Sequence, residues 1–136
     1  MKFVFTGRPL SLFQALLCLA LMGFGMSAHA NNNNTTYNEG LLAAESGDYQ
    51  KAVSQWQALA GQGHASAQFN MALLYHSGAG VELDEAKAVE LYHQAAKNGD
   101  YYAQEYLAVG YQEGWFGLHK DSKKAAYWQQ QLDMNH

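Results

Sequence analysis

The chain has 136 residues with Lys+Arg 8 against Asp+Glu 12, a formal net charge of −4, and it holds one Cys and one Pro. That length gives one domain, and hydrophobic residues at 49% with aromatics at 13% exclude a disordered chain. The only Cys (Cys18), the only Pro (Pro9) and the only Arg (Arg8) all fall in the first 30 residues, so that segment differs in kind from the rest of the chain.

Lys2 and Arg8 precede an apolar run from Leu12 to Met26, broken by Gln14, and Ala28-His29-Ala30 closes it with small residues. Basic, apolar, then small is the order of a secretory signal. The 15-residue run is shorter than the roughly 20 residues that cross a bilayer as a helix. A signal peptide at 1–30, cleaved after Ala30, predicts a periplasmic or secreted protein with no stable membrane span in the mature chain. Lipid attachment at Cys18 is disfavoured because the large Leu17 precedes it. Losing Lys2 and Arg8 leaves six Lys against 12 acidic residues, a net charge of −6, with no Arg and no Cys. Thiol catalysis and disulfides are thereby excluded from the mature chain. Nucleic acid binding, which needs basic side chains, is set aside, and an acidic surface favours basic partners.

The Asn-rich stretch 31–36 reads as a flexible lead, and 37–136 as the folded domain. Within it Asp-x-x-Lys-Ala recurs at Asp48/Lys51/Ala52, Asp84/Lys87/Ala88 and Asp121/Lys124/Ala125, in steps of 36 and 37. In the middle copy Ala88, Leu91, Tyr92, Ala95 and Ala96 make one apolar stripe at helical period. Asp84 reads as an N-cap and Asn98-Gly99 as a stop. Each recurring Lys is expected to pack its stem on a neighbouring helix while its charge meets the Asp. A second segment type precedes these: Ala67, Met71, Ala72, Tyr75 and Gly78 match Ala103, Leu107, Ala108, Tyr111 and Gly114 at a step of 36. The unit is two antiparallel helices joined by a Gly-containing turn. Helices are predicted near 37–46, 50–62, 65–77, 84–98, 101–113 and 121–133.

The pattern A-x-x-x-[LM]-A-x-x-Y-x-x-G-x-G-V-x-x-D-x-x-K-A, from Ala67 through Ala88, resembles the Sel-like repeat, a relative of the tetratricopeptide repeat. The resemblance covers 64–99 and 100–136, and 37–63 is similar to a degenerate tetratricopeptide unit. It implies an all-α fold, a short right-handed α-solenoid of about three helix pairs. Such units bury their apolar faces only by stacking. The last unit departs by one inserted turn residue and by Gln129 in place of the aromatic at Tyr92.

Catalytic constellations are missing from the sequence: no G-x-S-x-G, G-x-x-x-x-G-K-[ST] or H-E-x-x-H occurs, so no enzyme activity and no cofactor are expected. Gly78-Ala79-Gly80 follows no strand and reads as a turn. His64 and His76, 12 residues apart on one helix, stand about 18 Å apart. They are too far apart to share a metal, so the histidines read as solvated. Trp56, Tyr75, Tyr92 and Tyr111 hold equivalent positions on the apolar stripes and read as core. If the first helix of each unit lines an inner face, as the resemblance implies, Phe69, Asn70, Leu73 and His76, then Tyr102, Glu105, Tyr106, Val109 and Gln112, form either a peptide-binding groove or packing between units. Trp115 and Phe116 are a second contact point or a cap on the stack.

The reading is a non-catalytic scaffold for a protein or peptide partner. The alternative is a cell-envelope enzyme or cell-wall ligand binder of the secreted Sel-like type, although that branch carries paired cysteines that this chain lacks. Self-association through exposed stack ends is a third reading.

Overall fold

The computed structural model describes residues 32–135. It contains six helices: α1 Asn32–Glu45, α2 Tyr49–Gly61, α3 Ala65–Ser77, α4 Glu85–Lys97, α5 Tyr101–Glu113 and α6 Ser122–Asn135. Each helix packs on its neighbours in sequence, so the six form a stack of three antiparallel pairs, α1/α2, α3/α4 and α5/α6. The described residues contain no strand. The segment expected to be a signal peptide, with its expected cleavage site, lies outside them.

The caps explain the recurring Asp. Asp48 and Asp84 accept a hydrogen bond from the backbone N–H of Lys51 and Lys87, at 3.1 and 2.9 Å, and Asp121 accepts from that of Lys124 at 3.1 Å. Asp100 does the same for Ala103 at 2.9 Å. Each fills one of the orphan donors of a helix start. The Lys charge is secondary, which corrects the expected Asp–Lys pairing: Lys124 reaches Asp121 at 3.7 Å, but Lys87 pairs with Glu90 at 3.0 Å instead. Lys51 stays exposed.

The turns between units are built alike. Gly63 and Gly99 adopt φ of 86° and 89°, a left-handed conformation that closes a helix end cheaply only without a Cβ. The next residue then bonds back into the helix, His64 N–H to the Leu59 carbonyl and Asp100 N–H to that of Ala95. The turns inside units two and three also match, with Asp84 N–H donating to Tyr75 and Asp121 N–H to Tyr111, both at 2.9 Å.

The helix of the first unit starts earlier than its sequence indicates. The stretch from Asn32 is the first turn of α1 rather than a flexible lead, and Thr36 Oγ1 donates to the Asn32 carbonyl at 3.0 Å. Residues 32–35 are exposed and carry no apolar stripe. They continue a helix anchored one turn later by Tyr37, and extending a formed helix costs far less than nucleating one.

Trp56, Tyr92, Leu73, Leu74 and Leu107 are the largest wholly buried side chains. α3 is buried on every side from Ala67 to Leu74 because both flanking units cover it. α6, at one end of the stack, buries only Trp128 and Leu132.

Candidate functional site

Along α3, Phe69 and Leu73 are buried, as is Asn70. They do not line a groove, because the next unit covers them: the Phe69 and Tyr102 rings stack at 6.0 Å. Tyr106, buried on α5, stacks on Tyr92 at 3.9 Å and on Phe116 at 4.3 Å. Its hydroxyl lies 2.9 Å from His76 Nδ1. Of the proposed row, Phe69, Leu73 and Tyr106 are therefore packing between units. The sequence showed a stripe at helical period, and periodicity does not tell which neighbour covers it.

The rings of this contact influence each other's ionisation. Burial raises the pKa of Tyr92 and Tyr106 well above the ordinary tyrosine value and lowers that of His76, with Glu85 acting in the opposite direction. Phe116 takes a positive φ of 62°, a conformation that costs a non-glycine residue about 1–2 kcal/mol. Its stack on Tyr106 and its edge contact with His76 at 5.4 Å hold it there. Phe116 thus points inward, while Trp115 beside it is 39% exposed.

Asn70 belongs to a polar network across the first two units. Its Nδ2 donates to the Tyr37 hydroxyl at 3.1 Å, and the Tyr37 ring stacks on His64 at 4.9 Å. Ser66 Oγ donates to Asp100 at 3.1 Å. Burial raises the Asp100 pKa, and the bonds from Ala103 and Ser66 oppose it. The histidines are not simply solvated: His64 caps α3 by accepting from the Ala67 N–H at 3.2 Å, and His93 Nε2 lies 2.9 Å from the Tyr111 hydroxyl. Burial lowers the His93 pKa, helped by Lys97 and Lys124. Of the four ring positions expected in the core, Trp56, Tyr92 and Tyr111 are buried, and Tyr75 is half-buried.

Sequence reasoning missed two buried glutamines. Gln68 Nε2 donates to the Ala60 carbonyl and Gln104 Nε2 to that of Ala96, both at 3.0 Å. Each ties a unit to the end of the preceding helix, and their step of 36 was visible in the sequence. Gln68 Oε1 accepts from Asn98 at 2.9 Å, whereas Gln104 Oε1 is buried without a partner.

The remaining candidates gather at the open end of the stack. Glu105, Val109 and Gln112 are exposed on α5, and two adjoining hollows of about 590 and 440 Å³ run between α5 and α6. Tyr101 and Glu105 of α5 and Gln129, Leu132 and Asp133 of α6 flank the smaller hollow, and Gln112, Lys120 and Ser122 lie along the larger. Ala108 and Val109 form the apolar floor. Among the described residues no three His, Cys, Asp or Glu side chains converge as metal ligands. No described helix is long and apolar enough to cross a membrane.

Stacked helix pairs repeating every 36 or so residues, with the same geometry recurring at caps and turns, define an α-helical repeat protein of the solenoid class. The Sel1 repeat model matches residues 65–100 and 102–131. The chain belongs to the Sel1 repeat family. It is similar in fold to the crystal structure of a Sel1 repeat protein from Oxalobacter formigenes, with a TM-score of 0.67 at 24% identity, over 100% of this chain and 98% of that one. No curated protein matches the chain. Sel1 repeat proteins are generally protein-interaction scaffolds, and the family is typically non-catalytic.

Proposed function

We propose that the chain is an exported scaffold, periplasmic or secreted, that holds a protein or peptide partner and performs no catalysis of its own. The observation that carries this reading is the family fold with aromatic side chains left on its surface: Tyr101, Tyr102 and Trp115 are 40%, 45% and 39% exposed. Tyr and Trp rings of this kind are what protein partners use as anchors. The order of basic, apolar and small residues over 1–30 supports export. The acidic, arginine-free sequence after residue 30 favours a basic protein partner over nucleic acid. In-cell crosslinking followed by mass spectrometry tests the proposal. A defined partner outside the cytoplasm is expected, attached near the exposed Tyr101; a chain retained in the cytoplasm, or exported and crosslinked to nothing, refutes it.

A further inference from the structure

We infer that the open groove between α5 and α6 takes a basic amphipathic helix from the partner. The inference rests on the scaffold reading and names the surface and the chemistry of what it holds.

The covered interface inside the molecule shows what this groove accepts. One unit earlier, the equivalent groove between α3 and α4 is filled by a helix, α5. Tyr102 lies against Phe69, and Tyr106 lies against Tyr92 and His76. As a result Leu73, Tyr92, Ala95 and Ala96 are at most 1% exposed. The positions one repeat on are Val109, Gln129, Leu132 and Asp133, and with Glu105 they line the open hollows. The same pair geometry presents the same kind of trough, and the element that fits between two antiparallel helices at this spacing is a third helix.

The lining differs in a way that selects the occupant. Glu105 stands where Phe69 stands in the covered copy, and Asp133 where Ala96 does. Gln129, in place of Tyr92, donates to Asp133 at 3.2 Å. The hollow holding both carboxylates contains no basic residue, and Lys120 lies in the adjoining hollow toward the start of α6. Another copy of this chain's own repeat would set a ring like Tyr102 against Glu105, which leaves that carboxylate unanswered. A helix with an apolar stripe for Ala108, Val109 and Leu132, flanked by Lys or Arg for Glu105 and Asp133, answers both features. Such a helix can be a segment that folds as it binds.

The test uses two capped peptides of roughly 15 residues, long enough to form a helix on docking: one with a leucine stripe flanked by lysines, the other with glutamates in place of the lysines. Binding to the purified chain is read by fluorescence anisotropy, and its location by amide hydrogen exchange. The lysine peptide is expected to bind and to protect α5 and α6. The variant Glu105→Lys/Asp133→Lys should bind it about tenfold more weakly or worse, as reversal of two charge pairs implies, and should bind the glutamate peptide instead. Both positions are exposed, and circular dichroism verifies the fold. Should the reversal disturb it, Glu105→Gln/Asp133→Asn gives a smaller loss in the same direction. Equal binding by wild type and variant, or protection away from α5 and α6, overturns the groove assignment. Crosslinking to a partner elsewhere on the surface does so as well, and in that case the scaffold reading survives. The scaffold reading fails separately when crosslinking recovers no partner.

Discussion

Gly40 provides the sharpest test of the packing of the first unit. It lies mid-helix in α1, where Ala is ordinarily preferred to Gly by about 1 kcal/mol. Helix propensity alone therefore predicts that Gly40→Ala stabilises the protein. The tertiary structure predicts the opposite, because a Cβ at Gly40 would lie 2.6 Å from Trp56 Cε2 and 2.7 Å from Cδ1. The indole cannot retreat easily: Trp56 is wholly buried, and its Nε1 donates to the Tyr37 carbonyl at 3.1 Å. Overpacking a core costs about 1–3 kcal/mol, and loss of the indole bond adds about 1 kcal/mol. Against the propensity gain, the net effect is a destabilisation of about 1–3 kcal/mol. For a domain near 100 residues that lowers Tm by at least about 4 °C. Urea and thermal unfolding followed by circular dichroism measure it. Combining the substitution with Trp56→Phe, which trims the ring under the new methyl, should cost less than the sum of the two single changes. A Gly40→Ala protein as stable as wild type, or more so, would refute the claim that the indole fixes this position.

The repeated Asp acts as a cap, so Asp84→Ala should cost about 0.5–2 kcal/mol. Asp84→Asn should cost little, and Lys87→Ala, which leaves the cap intact, should stay within about 0.5 kcal/mol of wild type; chemical denaturation ranks the three. The histidines set the acid side of the stability profile. Burial lowers the folded pKa of His76 and His93 from 6.5, so the unfolded chain binds more protons and stability falls as pH drops below about 6.5, levelling off below the folded pKa values. Asp100 acts in the opposite sense at lower pH: its folded pKa is raised from 3.8, so its contribution is full below 3.8 and declines as pH rises through the folded value. Thermal melts between pH 7.5 and 5 should show Tm decreasing, with a shallower slope in His76→Gln.

Most of the fold was legible because the repeat marks itself. The capping Asp and the Gly of each inter-unit turn recur at a step of about 36 residues, and the stripe Ala88, Leu91, Tyr92, Ala95, Ala96 has helical period, which together mark stacked helix pairs. The start of α1 was not legible, since residues 32–35 are exposed and bury nothing that would leave a pattern. The row through Phe69 and Tyr106 was only half legible. A sequence shows that a stripe is apolar, but burial from a second direction depends on how the next unit lies. The polar contacts were hidden for the same reason: the bond from Asn70 to Tyr37 spans 33 positions and the one from Ser66 to Asp100 spans 34. Gln129 for the aromatic at Tyr92 and Asp133 for Ala96 were the sequence signals that the last helix differs from its counterpart one repeat earlier.

The two junctions between units differ in how much aromatic packing they carry, and this bears on how the molecule opens. Both junctions carry directional bonds, Asn70 to Tyr37 and Gln68 to Ala60 at the first, Ser66 to Asp100 and Gln104 to Ala96 at the second. What sets the second apart is the extent of its ring contact, with Tyr92, Tyr106 and Phe116 in a continuous stack and His76 at its edge. Truncating a buried aromatic costs about 3–5 kcal/mol, a large share of a total near 5–15, so Tyr106→Ala would detach the third unit rather than probe a binding surface. A loss of partner binding in that variant is thus uninformative, whereas the exposed Glu105, Val109 and Asp133 can be altered with the stack intact. The residues that tell binding from folding are those the neighbouring unit leaves uncovered, and they lie at the open end.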